Sequence, residues 1–265
     1  MLKNYKLEFL ILFFIYVSID VIGTKGRFLS SEDELIKIIP TNLETNKNAT
    51  FCKRDPEVMD TIIFHHSETP TTTTVSEIND YHLNRGSSSD PWYMIGYHFA
   101  ITAPYSTGRL KKAVYAGRPI DIAGAHVGGE VYSINGSEET KQLLQASPLL
   151  CGKENEEPKI ASDTFNAKGE YKINHTSVAI VVIGNYAVKS RHNPGGYSSS
   201  RPRRPSSSVL DMSARLACEL QKQYPRLKTL KWHNFYKATS CPGLIKNEIS
   251  KIATLARKYG CTFDY

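Results

Sequence analysis

Apolar residues along the chain recur with two different periods. DTIIFHH, residues 60–66, is β-branched and aromatic and runs into the turn former SETP, which predicts a buried strand. IGYHFAIT (95–102) and KKAVYAG (111–117) predict two further strands on either side of a glycine-containing connection, hence a hairpin. TSVAIVVIGNY (176–186) is almost continuously apolar, the pattern of a central strand covered on both faces. LKTLKWH (227–233) reads as one more strand. Helical spacing governs TVSEINDYHLNRG (74–86), with Thr74 or Ser76 as N-cap and Gly86 as the stop. It also governs VLDMSARLACELQKQYP (209–225) and LIKNEISKIATLARKYG (244–260), where Ile245, Ile249, Ile252 and Ala256 share a face. Strands interspersed with helices give an α/β fold, a central mixed β-sheet flanked by helices in a single domain.

The polar stretches divide the chain. Residues 24–54 hold only ELIKII as an apolar cluster and read as an N-terminal arm, so the domain is expected over 55–261. Two surface insertions interrupt it, at about 131–170, which carries Cys151, and at 189–208, KSRHNPGGYSSSRPRRPSSS. Residues 1–23 place Lys3 and Lys6 ahead of the apolar run FLILFFIYV and small residues after it, the grammar of a signal peptide. The run falls short of the roughly 20 apolar residues that span a bilayer. The expectation is an exported protein, secreted or periplasmic, with no membrane insertion once the signal is removed. No internal repeat, phosphate loop or nucleotide fingerprint occurs.

Lys and Arg number 33 against 26 Asp and Glu, a formal charge of +7. That favours an anionic partner, whether a cell-wall polymer, a nucleic acid or a membrane surface, and charge alone does not choose among them. Five cysteines (52, 151, 218, 241 and 261) are an odd number for an oxidising compartment, so at least one is unpaired or otherwise occupied. Sequons at Asn48, Asn135 and Asn174 have meaning only in a eukaryotic secretory pathway.

The histidines carry the candidate chemistry. His65 and His66 are adjacent on a strand, where neighbouring side chains point to opposite faces, so only one can face a given site. A lone histidine at a strand end is ordinarily a packed or surface residue. KWHNFYKATSCPG changes that weighting, because a strand delivers His233 and a loop returns Cys241 eight positions later. Cys241 is then either half of a disulfide or a metal ligand. Two imidazoles and a thiolate with a fourth position open make the donor set of a catalytic zinc site.

Five segments in order, IIFHHSETP, IGYHFAIT, AGRPIDIAGAHVGG, TSVAIVVIGNY and WHNFYKATSCPG, resemble the zinc-dependent N-acetylmuramoyl-L-alanine amidases of the bacteriophage-lysozyme type and the related peptidoglycan recognition proteins. The resemblance spans roughly residues 58–258 without the insertions. It implies Zn2+ as cofactor, His65, His233 and Cys241 as its ligands, and peptidoglycan or muropeptides rather than nucleic acid as partner of a monomer. It further implies Tyr97 and Thr239 as catalytic residues and His126 as a substrate-proximal histidine. Thr239 departs from the lysine of the phage enzymes, which removes a cation from the oxyanion side. His98 is expected to alternate away from Tyr97 as a packing residue, and Trp92 to line the glycopeptide groove or cover the core. A recognition protein that binds without cutting is the alternative, and such proteins typically lack the cysteine ligand. A zinc peptidase of the HExxH type is excluded by the absence of that motif.

With Cys241 committed to zinc, four cysteines remain, which allow three pairings. Cys218 lies in one predicted helix and Cys261 just beyond the next, so these two are expected to bridge. Cys52 is then expected to pair with Cys151, tying the arm to the first insertion.

Overall fold

The apolar run after Ser177 becomes the middle of a six-stranded sheet because all six of its residues are shielded from water on both faces. The computed structural model describes residues 36–85, 91–102, 112–133, 136–187 and 204–265. The expected signal peptide, the Gly86 stop, the hairpin connection, Asn135 and most of the basic insertion lie outside them.

In chain order the elements are β1 (Ile38–Ile39), β2 (Phe51–Lys53), β3 (Thr61–His66), α1 (Val75–Leu83), β4 (Phe99–Thr102) and β5 (Ala113–Ala116). There follow α2 (Glu138–Ala146), β6 (Leu150–Gly152), β7 (Lys159–Ile160), α3 (Ile173–Thr176), β8 (Ser177–Val182), α4 (Ser207–Gln223), β9 (Thr229–Trp232), α5 (His233–Tyr236) and α6 (Ile249–Lys258). The main sheet runs β1-β5-β4-β8-β3-β9, with β4 and β5 antiparallel and the other pairs parallel, so the sheet is mixed as expected. A second sheet, β2-β6-β7, joins the arm to the first insertion. Residues 36–54, expected as an arm, thus supply one strand to each sheet.

Alternation along β3 and β8 sorts the two layers. Ile62, Phe64, Val178, Ile180 and Val182 pack with Leu210, Ala214 and Ala217 of α4 and with Ile252, Ala253 and Ala256 of α6. Val181 and Ile183 pack on the other side with Val75 and Ile78 of α1. Helix α1 starts where Thr74 and Glu77 form a capping box, which resolves the choice between Thr74 and Ser76.

Several boundaries differ from the sequence expectation. A 3-10 helix over Gly243–Glu248 precedes α6, which starts at Ile249, and His233 opens α5 instead of ending β9. Ser206 accepts from Val209 N as the N-cap of α4, so residues 207–208 belong to that helix and not to the basic insertion. Regular strand geometry begins at Phe99 and not at Ile95. The carbonyls of Met94 and Ile95 are taken by the buried Arg118 guanidinium and not by a neighbouring strand. Tyr97 therefore precedes the strand, while His98 is buried and accepts from Ala179 N, a packing role.

Candidate metal centre

β9 runs parallel to β3 with Trp232 opposite Phe64, and His233, the next residue and the first of α5, lies beside His65. Their ring centroids are 4.6 Å apart. Cys241 returns to them because Asn234 N donates to Cys241 O at 3.1 Å, closing the loop after α5. The turn beyond it requires glycine. Gly243 has φ +63°, and a Cβ there would stand 2.0 Å from Tyr186 O. Cys241 Sγ accepts from His66 N at 3.4 Å and lies 3.6 Å from His65 Nδ1.

Metal-ligating atoms of His65, His233 and Cys241 all lie within 4.8 Å of one another. Zinc bonds to nitrogen and sulfur at tetrahedral angles would separate the two ligand atoms by about 3.6 Å, the observed spacing of Cys241 Sγ from His65 Nδ1. Both ring nitrogens of His233 are buried without a hydrogen-bond partner, a condition that costs about 1–3 kcal/mol per atom unless a ligand satisfies it. Burial, then the nearby Lys237, lowers the His233 pKa to about 4, so the ring is neutral with a free lone pair. Burial and the surrounding histidines hold His65 far below its usual value. Burial pushes the Cys241 thiol up to about 12, so a thiolate there needs a coordinating cation. This donor set fits zinc.

Of the three, His233 lines a groove of about 530 Å³, while His65 and Cys241 are buried behind it. Tyr97, Thr239, His126 and Trp92 all line it, together with His233. The Tyr97 ring lies 5.1 Å from that of His65, and burial, then Cys241, keeps its hydroxyl protonated and able to donate. Thr239 Oγ1 accepts from Cys241 N at 3.3 Å. His126 has both nitrogens engaged, Nδ1 with His65 Nε2 at 3.0 Å and Nε2 with Ser177 Oγ at 3.1 Å, so it buttresses His65 while forming part of the groove wall. Trp92 packs against His82 at 4.8 Å with the Arg85 guanidinium 5.7 Å from its ring. The expected disulfides are present, Cys52–Cys151 and Cys218–Cys261, and Cys241 is a free, buried thiol.

Several site residues escaped the sequence reading. His82 lines the groove and accepts from Gly96 N at 3.1 Å. Its place on the Val75–Ile78 face of α1 was the available signal. Asn174 is no glycan acceptor in the fold. It is buried, its Oδ1 accepts from His126 N and Val127 N, and its Nδ2 donates to Gly128 O. Arg85, Lys172 and Lys237 line the groove, and among the described residues no Asp or Glu does.

A scan of the sequence against protein-family models and a search of curated proteins find no match. Solved structures do resemble it. N-acetylmuramoyl-L-alanine amidase LysC from Clostridium intestinale URNW superposes with a TM-score of 0.50 at 18% identity, over 85% of this chain and 99% of that one. Drosophila PGRP-LB gives 0.46 at 19% identity, over 81% and 93%. The endolysin of Thermus scotoductus MAT2119 bacteriophage Ph2119 gives 0.42 at 20%, over 75% and 84%. The fold, a mixed central sheet flanked by helices, is that of the LysC amidase structure.

Proposed function

We propose that this chain is a zinc-dependent N-acetylmuramoyl-L-alanine amidase that hydrolyses the amide between N-acetylmuramic acid and L-alanine in peptidoglycan or muropeptides. The observation that carries the reading is the convergence of His65, His233 and the free Cys241, with both nitrogens of His233 unpartnered and His233 lining the groove.

A zinc ion held by these three residues would polarise the scissile carbonyl and make a water acidic near neutral pH. The protein's own groups do the rest. Tyr97, a protonated donor beside His65, would hydrogen-bond the oxygen of the lactyl carbonyl as negative charge develops on it. Thr239 lines the same groove, and its hydroxyl is a second donor candidate. Arg85, Lys172 and Lys237 give the groove a positive lining that suits the carboxylates of a stem peptide. Trp92 offers an aromatic wall to the glycopeptide. Export by the first 23 residues would bring the enzyme, acting as a monomer, to its substrate. Among the described residues no helix is long and apolar enough to cross a membrane.

Purified peptidoglycan tests the reading. The expected result is the appearance of stem peptides with a free N-terminal L-alanine amine, which stops with chelator and returns with zinc. No chelator-sensitive cleavage at any enzyme concentration would overturn it. Thr239 in place of a lysine favours one second reading, binding of peptidoglycan without cleavage, and pull-down on the same material without alanine release would establish it.

A further inference from the structure

Behind His65 runs a chain of buried hydrogen bonds whose direction is fixed at its far end. Ser177 Oγ lies 2.6 Å from the carbonyl oxygen of Ile173 and 3.1 Å from His126 Nε2. A carbonyl only accepts and a hydroxyl has one proton, so Ser177 donates to Ile173 and its oxygen must accept from His126. His126 Nε2 therefore carries the ring hydrogen. In a neutral ring Nδ1 is then an acceptor, and it faces His65 Nε2 at 3.0 Å, so His65 donates from Nε2. The lone pair of His65 is left on Nδ1, the nitrogen 3.6 Å from Cys241 Sγ.

The surroundings hold this arrangement. His126 is 6% exposed, and its two ring nitrogens meet His65 and Ser177, neither of them an anion that would stabilise a charged ring. Asn174 fixes the backbone of the His126 loop through two N–H groups. Gly124 leaves room for the ring, since a Cβ there would lie 2.4 Å from His126 Cδ2. Ser177 is fully buried at the start of the central strand, and Arg54 binds its carbonyl at 2.9 Å. Reversing the chain would leave Ile173 O without the Ser177 proton and put a hydrogen on His65 Nδ1, where a metal needs a lone pair.

We propose that Ser177 is a positioning residue of the metal centre: through His126 it sets His65 in the tautomer that presents Nδ1 to Cys241 and to the metal. This rests on the metal reading above. Long-range proton–nitrogen spectra of 15N-histidine-labelled, metal-free protein report each tautomer directly, and competition with a chelator reports zinc affinity. Wild type is expected to show Nε2–H on both His65 and His126. Ser177→Ala is expected to mix the His126 tautomers and weaken zinc binding about 10- to 100-fold, with Ser177→Thr close to wild type. Nδ1–H on His126 in wild type would overturn the proposal, as would a folded Ser177→Ala with unchanged tautomers and zinc affinity. Should Ser177→Ala fail to fold, the wild-type spectrum decides alone. Wild type that shows both Nε2–H tautomers yet binds no zinc would support the hydrogen-bond chain and overturn the metal reading.

Discussion

His65 and His66 are consecutive on β3 and serve opposite faces of the sheet. His65 Nε2 meets His126 Nδ1 on the groove side, while His66 Nδ1 accepts from Tyr186 N on the side of α4 and α6. The pleat turns one histidine to the groove side and one into the packed layer, and the backbone N–H of the packed His66 reaches Cys241 Sγ.

The two histidines are therefore expected to separate in a metal assay. Cys241→Ser and His233→Ala should each lose zinc and all cleavage while still binding glycan. His66→Ala should keep zinc and lose about 1–3 kcal/mol of stability, since it removes the buried acceptor of the Tyr186 N hydrogen bond. Elemental analysis of the purified variants checks this. Stoichiometric zinc in Cys241→Ser would refute the ligand assignment.

Tyr97 acts on the reacting oxygen in this reading and not on the metal. Tyr97→Phe is expected to lower turnover by roughly 10²-fold with zinc retained, the usual effect of losing one oxyanion donor. Turnover equal to wild type, at full zinc content, would remove Tyr97 from the mechanism.

Legibility followed the range of each signal. Strands β3 and β8 stood out because burial on both faces leaves nearly continuous apolar runs, and α4 and α6 because one buried face imposes a helical period. The convergence of His65, His233 and Cys241 was readable because a strand end and a short loop each bring a donor of a type rarely left idle. The supporting residues were hidden. Ser177 and Asn174 act through contacts 51 and 48 residues away in sequence, and no local pattern marks a hydroxyl that orients a distant ring. The start of β4 was misplaced because Arg118, 23 residues on, takes the carbonyl of Ile95. The pairing of Ile38–Ile39 with β5 is equally non-local.

The disulfides offer a comparison of loop sizes. Cys52–Cys151 spans 99 residues and Cys218–Cys261 spans 43. Restricting the unfolded chain is worth about 4.7 kcal/mol for the first and about 4 kcal/mol for the second in the chain-entropy picture. Replacing either pair by alanine is expected to lower the urea midpoint, slightly more for Cys52 and Cys151, with zinc still bound. Peptide mapping of non-reduced active protein that finds Cys241 in a disulfide would overturn this assignment and the metal centre with it.

Acid should destabilise the fold ahead of carboxylate titration, because buried histidines must be neutral. His82 and His175 are both buried, and burial, aided by neighbouring cations, lowers each to about 4 from 6.5. His82 has a structural reason to stay neutral, since its Nδ1 accepts from Gly96 N. Between pH 6.5 and about 4 the unfolded chain binds more protons than the folded one, so stability rises with pH across that window and is lost as pH falls through it. Each group contributes on the order of 3 kcal/mol at most over the window. Urea midpoints of the metal-free protein are expected to be level above pH 7 and to drop steadily toward pH 4.5. His82→Asn keeps an acceptor for Gly96 N without a titrating ring, so its midpoint should fall less steeply over the same range. A variant slope equal to wild type would show that His82 does not contribute to the acid response.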